Sequence, residues 1–519
     1  MPHPRGALIV LLSLLVIATI TLLPAAGTGG AGNSFRVESS RWDRPTAHPP
    51  ELPSDAISAE HMLHYQDLAV RWMAEYLRID TTNPPGNELK AAEWFKRIFD
   101  AEGIENRLMQ YAPGRADIWA RVPASRVING KAVTGPRQRP IVLLNHMDVV
   151  SADPEHWRVP PFSATIVDGA MYGRGAQDMK SEALAQLLVL LMLKREQPLR
   201  DRDVIFLGTA DEEVHDTGTD WFLAHHPELL GDAEFLLTEG GENLLEGGRY
   251  QHIGVDVAEK IPFWLHVVAH GQPGHGSRPI EDSAPNRLLR ALNRILNYQP
   301  ELKVLPEVEG LLAQMAPYQP RDRAARFHNI RQALKDKEFQ AAVAEDESLS
   351  YLLRDTISVT MLQGSKQTNV IPEESWANLD VRLLPGEDPK EFLETMRKLV
   401  DDPNVSVEPL DGFSKGNSSP IDTPLFASIR RVTAHYFPGA PVLPRLASGY
   451  NESQRYRPFG IICYGFSPFM TTTDEGNTEH GDNERIRLDE LRRGFRLLYD
   501  IVLSVPASDT QPSAANVAK

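Results

Sequence analysis

Three short apolar runs, separated by helical segments, constrain the fold of this chain most. They lie at 140–145, 203–208 and 234–238, and helices are predicted around 180–195 and 218–230. Short apolar runs that alternate with helices are typical of buried parallel strands in an α/β protein. We therefore predict a three-layer α/β catalytic domain with a mostly parallel sheet. Ligands of such sheets bind beyond the carboxyl ends of the strands, so we expect the site there.

A different order of elements follows this part of the chain. Strands are predicted at 262–269, 357–363, 376–384 and 405–409, with helices at 283–297 and 389–400. The resulting β-α-β-β-α-β order is the ferredoxin-like arrangement. We therefore predict an α+β lid domain inserted into the catalytic domain. The charged stretch at 300–355 is expected to add helices to this lid.

The N-terminal residues are typical of an export signal. Arg5 precedes an uncharged run at 7–23, and small residues follow at Pro24–Ala26. The run is almost long enough to cross a membrane, so an uncleaved N-terminal anchor is the alternative. Both interpretations predict a protein that is secreted, periplasmic or anchored to the cell envelope.

These features predict a division of the chain into six parts. They are a signal peptide or anchor (1–30), a linker (31–55), the first part of the catalytic domain (56–258), the lid or dimerisation domain (259–412), the second part of the catalytic domain (413–506) and a disordered tail (507–519).

Net charge and cysteine content exclude some classes of function. The net charge of −16 over 519 residues argues against nucleic-acid binding, which needs a basic surface. The single cysteine, Cys463, allows no internal disulfide and no thiolate zinc site. Any metal must therefore bind to His, Asp and Glu side chains.

Residues that can bind metal follow each predicted strand. After the first, His146 could bind a metal while Asp148, on the same side of an extended chain, hydrogen-bonds its other ring nitrogen. After the second, one of the adjacent residues Glu212 and Glu213 could bind a metal while the other stays free as a general base. Further candidates are Asp178, Glu239 and His480. Each is common in a purely structural role, but together they predict one site at the edge of the sheet.

The chain resembles the zinc metallopeptidases and amidohydrolases grouped with carboxypeptidase S, aminoacylase-1, glutamate carboxypeptidase and succinyl-diaminopimelate desuccinylase. The resemblance covers roughly residues 60–505. It rests on the segments LLNHMDVV, GRGAQDMKSE, TADEEV, TEGG, GQPGHGSRP, TNVIPEE, LDVRLLPGED and EHGDNERI, in the order of the family.

The resemblance implies two divalent metal ions, for which we expect zinc, with cobalt or manganese as alternatives. Its ligand sets are His146, Asp178 and Glu239 for one ion, and Asp178, Glu213 and His480 for the other. Asp178 would bridge the ions. Glu212 would be the general base, and Asp148 would orient His146.

The resemblance also assigns substrate-binding residues, most of them in the lid. His275 would stabilise the oxyanion, and Asn369 and Gly449 would lie near the substrate. Arg382 would bind the substrate carboxylate, because a planar guanidinium fits one. The alternative is that Arg382 pairs with Glu387 or Asp388. Ser453-Gln454-Arg455 departs from the family pattern, which weakens the same role for Arg455.

The predicted activity is hydrolysis of an amide bond next to a free carboxylate in a small peptide or an N-acyl amino acid. The segments GFSP and EHGDNERI favour a metallopeptidase similar to carboxypeptidase S, with an aminoacylase-like amidohydrolase as the alternative. A binding protein without catalysis is disfavoured because all ligands and the base are present. A one-metal aminopeptidase is disfavoured by the His275 segment and the lid. A homodimer formed through the lid and a monomer both remain open.

Overall fold

A computed structural model describes residues 52–128, 131–134, 138–410 and 416–507. The predicted signal or anchor, residues 31–51 of the linker and residues 508–519 of the tail lie outside this part of the chain. The described residues form two compact units. The smaller unit contains Glu259–Asn417 and Ser448–Tyr450, and the larger unit contains the remaining described residues.

The strands are numbered in chain order. They are β1 (Glu105–Ala112), β2 (Arg115–Val122), β3 (Ser125–Ile128), β4 (Lys131–Thr134), β5 (Ile141–His146), β6 (Thr165–Val167), β7 (Ala170–Tyr172), β8 (Val204–Thr209), β9 (Phe235–Thr238), β10 (Asn243–Glu246), β11 (Arg249–Glu259), β12 (Ile261–Pro262), β13 (Leu265–His270), β14 (Gly274–His275), β15 (Thr356–Gln363), β16 (Val370–Ile371), β17 (Glu374–Leu383), β18 (Val405–Pro409), β19 (Val442–Ala447), β20 (Ile462–Gly465) and β21 (Arg485–Arg487).

The α-helices are numbered in the same way. They are α1 (Ala59–Leu77), α2 (Glu88–Glu102), α3 (Lys180–Glu196), α4 (Thr217–His225), α5 (Ala284–Leu296), α6 (Pro306–Met315), α7 (Arg321–His328), α8 (Ile330–Ala333), α9 (Lys337–Glu345), α10 (Glu347–Leu353), α11 (Pro389–Val400), α12 (Pro424–Tyr436), α13 (Ser453–Tyr456), α14 (Thr473–Gly476) and α15 (Leu488–Leu503).

The main sheet of the larger unit is parallel at its centre and antiparallel on both sides. Its order is β1-β2-β8-β5-β9-β20-β11-β10, with β19 beside β11. The four central strands, β8, β5, β9 and β20, run parallel to one another. Three of these four are the apolar runs predicted from the sequence. Parallel strands end at the same edge of the sheet. The residues that follow His146, Thr209 and Thr238, the last residues of β5, β8 and β9, are therefore brought close together.

Alternating side chains of β5 show why this unit has three layers. Ile141 and Leu143 belong to the hydrophobic core that also contains residues of α1, α2, α3 and α15. Val142 and Leu144 belong to a second core on the other face of the sheet, with Phe222 and Tyr456. Helices therefore cover both faces of the sheet. The predicted α/β fold with a mostly parallel sheet is confirmed.

The smaller unit contains an antiparallel sheet in the order β18-β13-β17-β15, and β12 also pairs with β17. The helices α5 and α11 pack their apolar side chains against one face of this sheet. The order of strands and helices in this unit is the β-α-β-β-α-β order predicted from the sequence. The predicted strand 262–269 is assigned as two strands, β12 and β13, which pair with β17 in one continuous register, and between them the N–H of Phe263 donates a 2.8 Å hydrogen bond to Val381 of β17. The predicted extra helices at 300–355 are α6 to α10.

No helix among residues 52–507, as far as they are described, is both long and apolar enough to cross a membrane.

Candidate metal-dependent active site

His146 ends β5 and has no exposed side-chain surface. Its Nε2 atom lies 2.9 Å from Oδ1 of Asp178 and 3.2 Å from Oε2 of Glu239. The other ring nitrogen, Nδ1, lies 3.1 Å from the backbone oxygen of Asp148 and 3.6 Å from its carboxylate. The predicted hydrogen bond to Asp148 therefore goes to the main-chain carbonyl, and the Nε2 atom is directed towards the two carboxylates.

The carboxylate of Asp148 fixes a different part of the site. It accepts hydrogen bonds from the backbone N–H groups of Glu212, at 3.2 Å, and Glu213, at 3.1 Å. It also accepts a hydrogen bond of 2.8 Å from Nδ2 of Asn83. Burial alone raises the pKa of this carboxyl, but the neighbouring imidazole of His146, followed by the hydrogen bonds from Asn83 and Glu213, holds it below its usual value. Asp148 thus positions the turn that carries both glutamates after β8.

Asp178 lies between the two histidines. Its Oδ2 atom lies 2.7 Å from Nε2 of His480, whereas its Oδ1 atom faces His146. The same Nε2 atom of His480 lies 3.1 Å from Oε2 of Glu213. The structure therefore brings together the two predicted ligand sets, which share Asp178.

Burial and mutual repulsion dominate the electrostatics of this cluster. Burial, followed by the negative charges of neighbouring carboxylates, raises the pKa values of Glu212, Glu213 and Glu239. Hydrogen bonds to Asp178 and Glu213 raise the pKa of His480 to about 11. Several carboxylates in one buried place are costly unless cations compensate their charge.

The donor set fits divalent metal ions. Two imidazole nitrogens and several carboxylate oxygens converge, which suits zinc, cobalt or manganese. The buried Oε1 atom of Glu213 has no hydrogen-bond partner among the described residues, so it can still accept a cation. Ligand atoms of His146, Glu212 and Glu239 lie within 4.8 Å of one another, as do those of His146, Asp178 and Glu213. Glu212 is thus close enough to the site to act as either base or ligand.

Two residues that the sequence interpretation did not single out support this geometry. Asn83 donates to both Asp148 and Asp211, and its own side-chain oxygen accepts a 2.8 Å hydrogen bond from Arg115. Glu484 accepts hydrogen bonds from the loop that carries Asp178. Asn83 lies in a segment interpreted only as a loop, and Glu484 lies in the quoted EHGDNERI segment. Their contact partners lie far away along the chain, 65 residues from Asn83 to Asp148 and 306 from Glu484 to Asp178, so no local pattern signalled these contacts.

The four predicted substrate-binding residues belong to the smaller unit. His275 is exposed, and its Nδ1 atom accepts hydrogen bonds from the backbone N–H and, at 2.8 Å, the side chain of Ser277. The backbone oxygen of Asn369 accepts a 2.8 Å hydrogen bond from the N–H of Gly276, which places Asn369 beside His275 in the chain fold. Gly449 is exposed.

Arg382 has a partner that neither sequence alternative named. Its Nε atom lies 2.8 Å from Oδ1 of Asp380, two residues earlier on the same face of β17. The Nε atom of Arg382 therefore donates to Asp380, and not to Glu387 or Asp388, which the sequence analysis named as the alternative partners. Arg455, in the larger unit, lies 3.5 Å from Asp216 and 3.6 Å from Asp220.

Comparison with known proteins places this site in a family context. The chain is 29% identical to the N-fatty-acyl-amino acid synthase/hydrolase PM20D1 of Xenopus tropicalis over 356 residues, which cover 67% of this chain and 69% of the relative. It is 27% identical to aminoacylase-1B of Rattus norvegicus over 454 residues, which cover 85% of this chain and 96% of the relative.

A solved structure has the same fold. The M20 family metallo-carboxypeptidase Sso-CP2 of Sulfolobus solfataricus superposes with a TM-score of 0.62 at 18% identity, covering 84% of this chain and 99% of the other. Residues 142–504 match the sequence profile of peptidase family M20/M25/M40, which is more than half of the chain. The chain is therefore a hydrolase that belongs to peptidase family M20/M25/M40.

Proposed function

We propose that this protein is an amidohydrolase that cleaves N-acyl amino acids with the help of two divalent metal ions, of which zinc is the expected one. The observation that carries the proposal is the position of Asp178, whose two carboxylate oxygens face His146 and His480 separately. A carboxylate placed in this way would be available as a ligand to both ions of a two-metal site.

The identity of the relatives supports the acyl substrate over the peptide. The sequence interpretation favoured an enzyme similar to carboxypeptidase S and kept an aminoacylase as the alternative. The relatives at 27% and 29% identity are an aminoacylase and an N-fatty-acyl-amino acid synthase/hydrolase. The carboxypeptidase structure, at 18% identity, supports the fold alone. We therefore place N-acyl amino acids first and dipeptides second.

The metal ions, when bound, would polarise the amide carbonyl and lower the pKa of water in the site. His146, Asp178 and Glu239 would hold one ion, and Asp178, Glu213 and His480 the other. The remaining steps belong to residues that stay free of metal. Glu212, buried beside the cluster, accepts the proton of the attacking water at its carboxylate and donates it to the leaving nitrogen.

Asp148 supports this proton transfer without taking part in it. Its carboxylate accepts hydrogen bonds from the N–H groups of Glu212 and Glu213. It therefore fixes the main chain of the proposed base, Glu212, and of the proposed metal ligand, Glu213. Its carbonyl oxygen fixes the ring of His146. A single residue, through its carboxylate and its main-chain carbonyl, thereby orients three parts of the site.

Substrate recognition is assigned to the smaller unit. In this proposal, Arg382 binds the substrate carboxylate, His275 stabilises the developing oxyanion, and Asn369 and Gly449 line the substrate. The ion pair between Arg382 and Asp380 would hold the guanidinium extended before the substrate binds. Export through the N-terminal segment and dimerisation through the lid stay predictions.

The experiment is a comparison of matched substrates. The metal-free protein is loaded with zinc, cobalt or manganese and assayed on N-acetyl, N-octanoyl and N-oleoyl amino acids, on the same acyl chains as simple amides, and on dipeptides. We expect metal-dependent cleavage of N-acyl amino acids, with a much lower kcat/KM for amides that lack the carboxylate. Faster cleavage of dipeptides than of every N-acyl amino acid would instead support the carboxypeptidase.

A further inference from the structure

Glu484 is a buried carboxylate whose two oxygens are both used to hold one loop. Oε1 accepts hydrogen bonds from the backbone N–H groups of Gln177, at 2.7 Å, and Asp178, at 3.1 Å. Oε2 accepts one from the N–H of Gly175, at 2.9 Å, and one from the guanidinium of Arg174, at 2.6 Å. The side chain of Glu484 has no exposed surface. Four donors therefore converge on one carboxylate.

The segment that carries Glu484 also carries His480. In addition to the carboxylate contacts, the backbone oxygen of Glu484 accepts a 3.0 Å hydrogen bond from Gly173. The guanidinium of Arg174 donates a 2.9 Å hydrogen bond to the backbone oxygen of Gly481. The loop at 173–178 is thus joined to Gly481 and Glu484 of the segment that supplies His480.

The loop has little freedom to find the same shape without this carboxylate. Gly175 has a φ of +85°, and a Cβ atom there would lie 2.7 Å from Cγ1 of Val149. The backbone is therefore packed closely at the point where it turns. Hydrogen bonds to a charged acceptor are stronger than those between neutral groups, and buried N–H groups left without an acceptor are costly.

We propose that Glu484 is a positioning residue that sets the backbone of Asp178 so that its carboxylate can bridge the two metal ions. Glu484 does this through the same segment that supplies His480, so it affects both metal sites together. This inference rests on the proposed two-metal function. Glu484 itself touches neither the metal ligands' side chains nor the reacting atoms in any described contact, and its role is therefore indirect.

Metal binding to the metal-free protein tests this role without an activity assay. Zinc is titrated into wild type and Glu484→Gln in competition with a chromophoric chelator. A glutamine keeps the size of the side chain but turns an NH₂ group towards two of the four donors. We expect both zinc ions to bind about 10–100-fold more weakly, the range typical of residues that support metal ligands.

A matched control separates this effect from a loss of stability. Glu234 also forms a buried ion pair with an arginine. It lies 2.5 Å from Arg202, and 8% of its side chain is exposed. Because it directly precedes β9, it lies at the amino end of the parallel strands, whereas the proposed metal ligands follow their carboxyl ends. Glu234→Gln is expected to lower the melting temperature in a comparable way and to leave both zinc affinities unchanged. At saturating zinc, Glu484→Gln is expected to lower kcat more than it changes KM.

The outcomes separate the inference from the proposed function. If wild type binds no pair of zinc ions, the proposed function itself fails. If wild type binds two ions and Glu484→Gln binds both as tightly, or loses affinity only as much as Glu234→Gln, the inference is wrong. If Glu484→Gln does not fold, Arg174→Lys replaces it, since this change removes the fork that reaches Glu484 and Gly481. Unchanged zinc affinities in folded Arg174→Lys would also overturn the inference.

Discussion

The Nε2 atom of His480 lies 2.7 Å from Oδ2 of Asp178, and the side chain of His480 is 53% exposed. His146, which faces the other oxygen of Asp178, has no exposed side-chain surface. The proposed metal sites therefore share a ligand but differ in their access to solvent. The histidine of one ligand set is fully covered by protein, and the histidine of the other is open to solvent.

This difference predicts that the two ions leave at different rates. With increasing chelator, we expect one ion to dissociate first from the His480 and Glu213 site, and the second only at higher chelator concentration or after longer times. Metal content measured after rapid desalting gives the number of ions that remain. His480→Ala should remove the fast phase and leave about one ion per chain. Loss of both ions in a single phase from wild type would contradict the assignment.

Glu212→Gln tests the general base. The neutral amide cannot accept the proton of water, so we expect kcat to fall by about 10²–10⁴-fold. The zinc content should remain at the wild-type value, because in the proposal Glu212 is not a ligand. The alternative arises from the geometry, since Glu212 also groups with His146 and Glu239 as a possible ligand. A loss of one zinc ion together with activity would make Glu212 a ligand.

The sequence predicted the parts of this architecture that depend on local pattern. The runs that became β5, β8 and β9 are short and apolar, and helix α11 begins at Pro389, directly after Asp388, whose side chain caps it. The antiparallel strands β1, β2, β10 and β11 were not predicted. Their burial patterns depend on which neighbours they pair with, and that information is absent from a local window.

The site shows the same division between local and distant information. Residues that directly follow predicted strands, such as His146 and Glu239, could be placed by the rule that parallel strands end together. The contact between Asn83 and Asp148 joins residues 65 positions apart through a loop. The pair of Arg382 with Asp380 could have been anticipated from their spacing of two in a strand, which puts both side chains on one face.

Asn83→Ala is expected to destabilise the larger unit and to lower activity. The change removes the donor that reaches both Asp148, at 2.8 Å, and Asp211, at 2.7 Å, and leaves two buried carboxylates with fewer partners. We expect a loss of about 1–3 kcal/mol in the free energy of unfolding, measured by urea denaturation, and a lower kcat.

Asn106→Ala is the matched control for Asn83→Ala. Asn106 also donates from Nδ2 to an aspartate, Asp100, at 2.9 Å, but the hydrogen bond is exposed to solvent. Its loss should change the free energy of unfolding by less than about 0.5 kcal/mol and leave kcat unchanged. Equal effects of the two substitutions would show that Asn83 has no special connection to the site.

Arg382→Ala tests recognition of the substrate carboxylate. In the proposal, we expect KM for N-acyl amino acids to rise at least about tenfold, with little change in KM for the matching amides that lack a carboxylate. Arg397 is the control, because it belongs to the same unit and pairs with Glu394 and Glu408 at the surface. If Arg382→Ala and Arg397→Ala have the same small effect on KM, then Arg382 only stabilises β17 through Asp380.

Glu452 provides a pH dependence of stability at a residue that is not itself a proposed metal ligand. Its side chain is buried, and Oε1 accepts a 2.8 Å hydrogen bond from Thr209 and a second one from Thr219. Burial, followed by the negative charge of Asp216, raises the pKa of Glu452 to about 7. In the unfolded chain, the pKa is near 4.5. The folded protein therefore holds a proton on Glu452 over a pH range in which the unfolded chain has lost it.

The sign of the effect follows from this difference. Between pH 4.5 and about 7 the folded state binds more protons, so the free energy of unfolding must fall as the pH rises and then level off above the folded pKa. For Glu452 alone the fall from pH 5 to pH 8 is about 2–3 kcal/mol. Glu452→Gln carries no titrating group, so its stability should fall less with pH by that amount. The buried NH₂ group of the glutamine shifts the free energy of unfolding by the same amount at every pH, so it does not change the slope.

Urea denaturation of both metal-free proteins at pH 5, 6, 7 and 8 measures the difference in slope. Parallel curves of the free energy of unfolding against pH would mean that Glu452 is already ionised in the folded protein at pH 5.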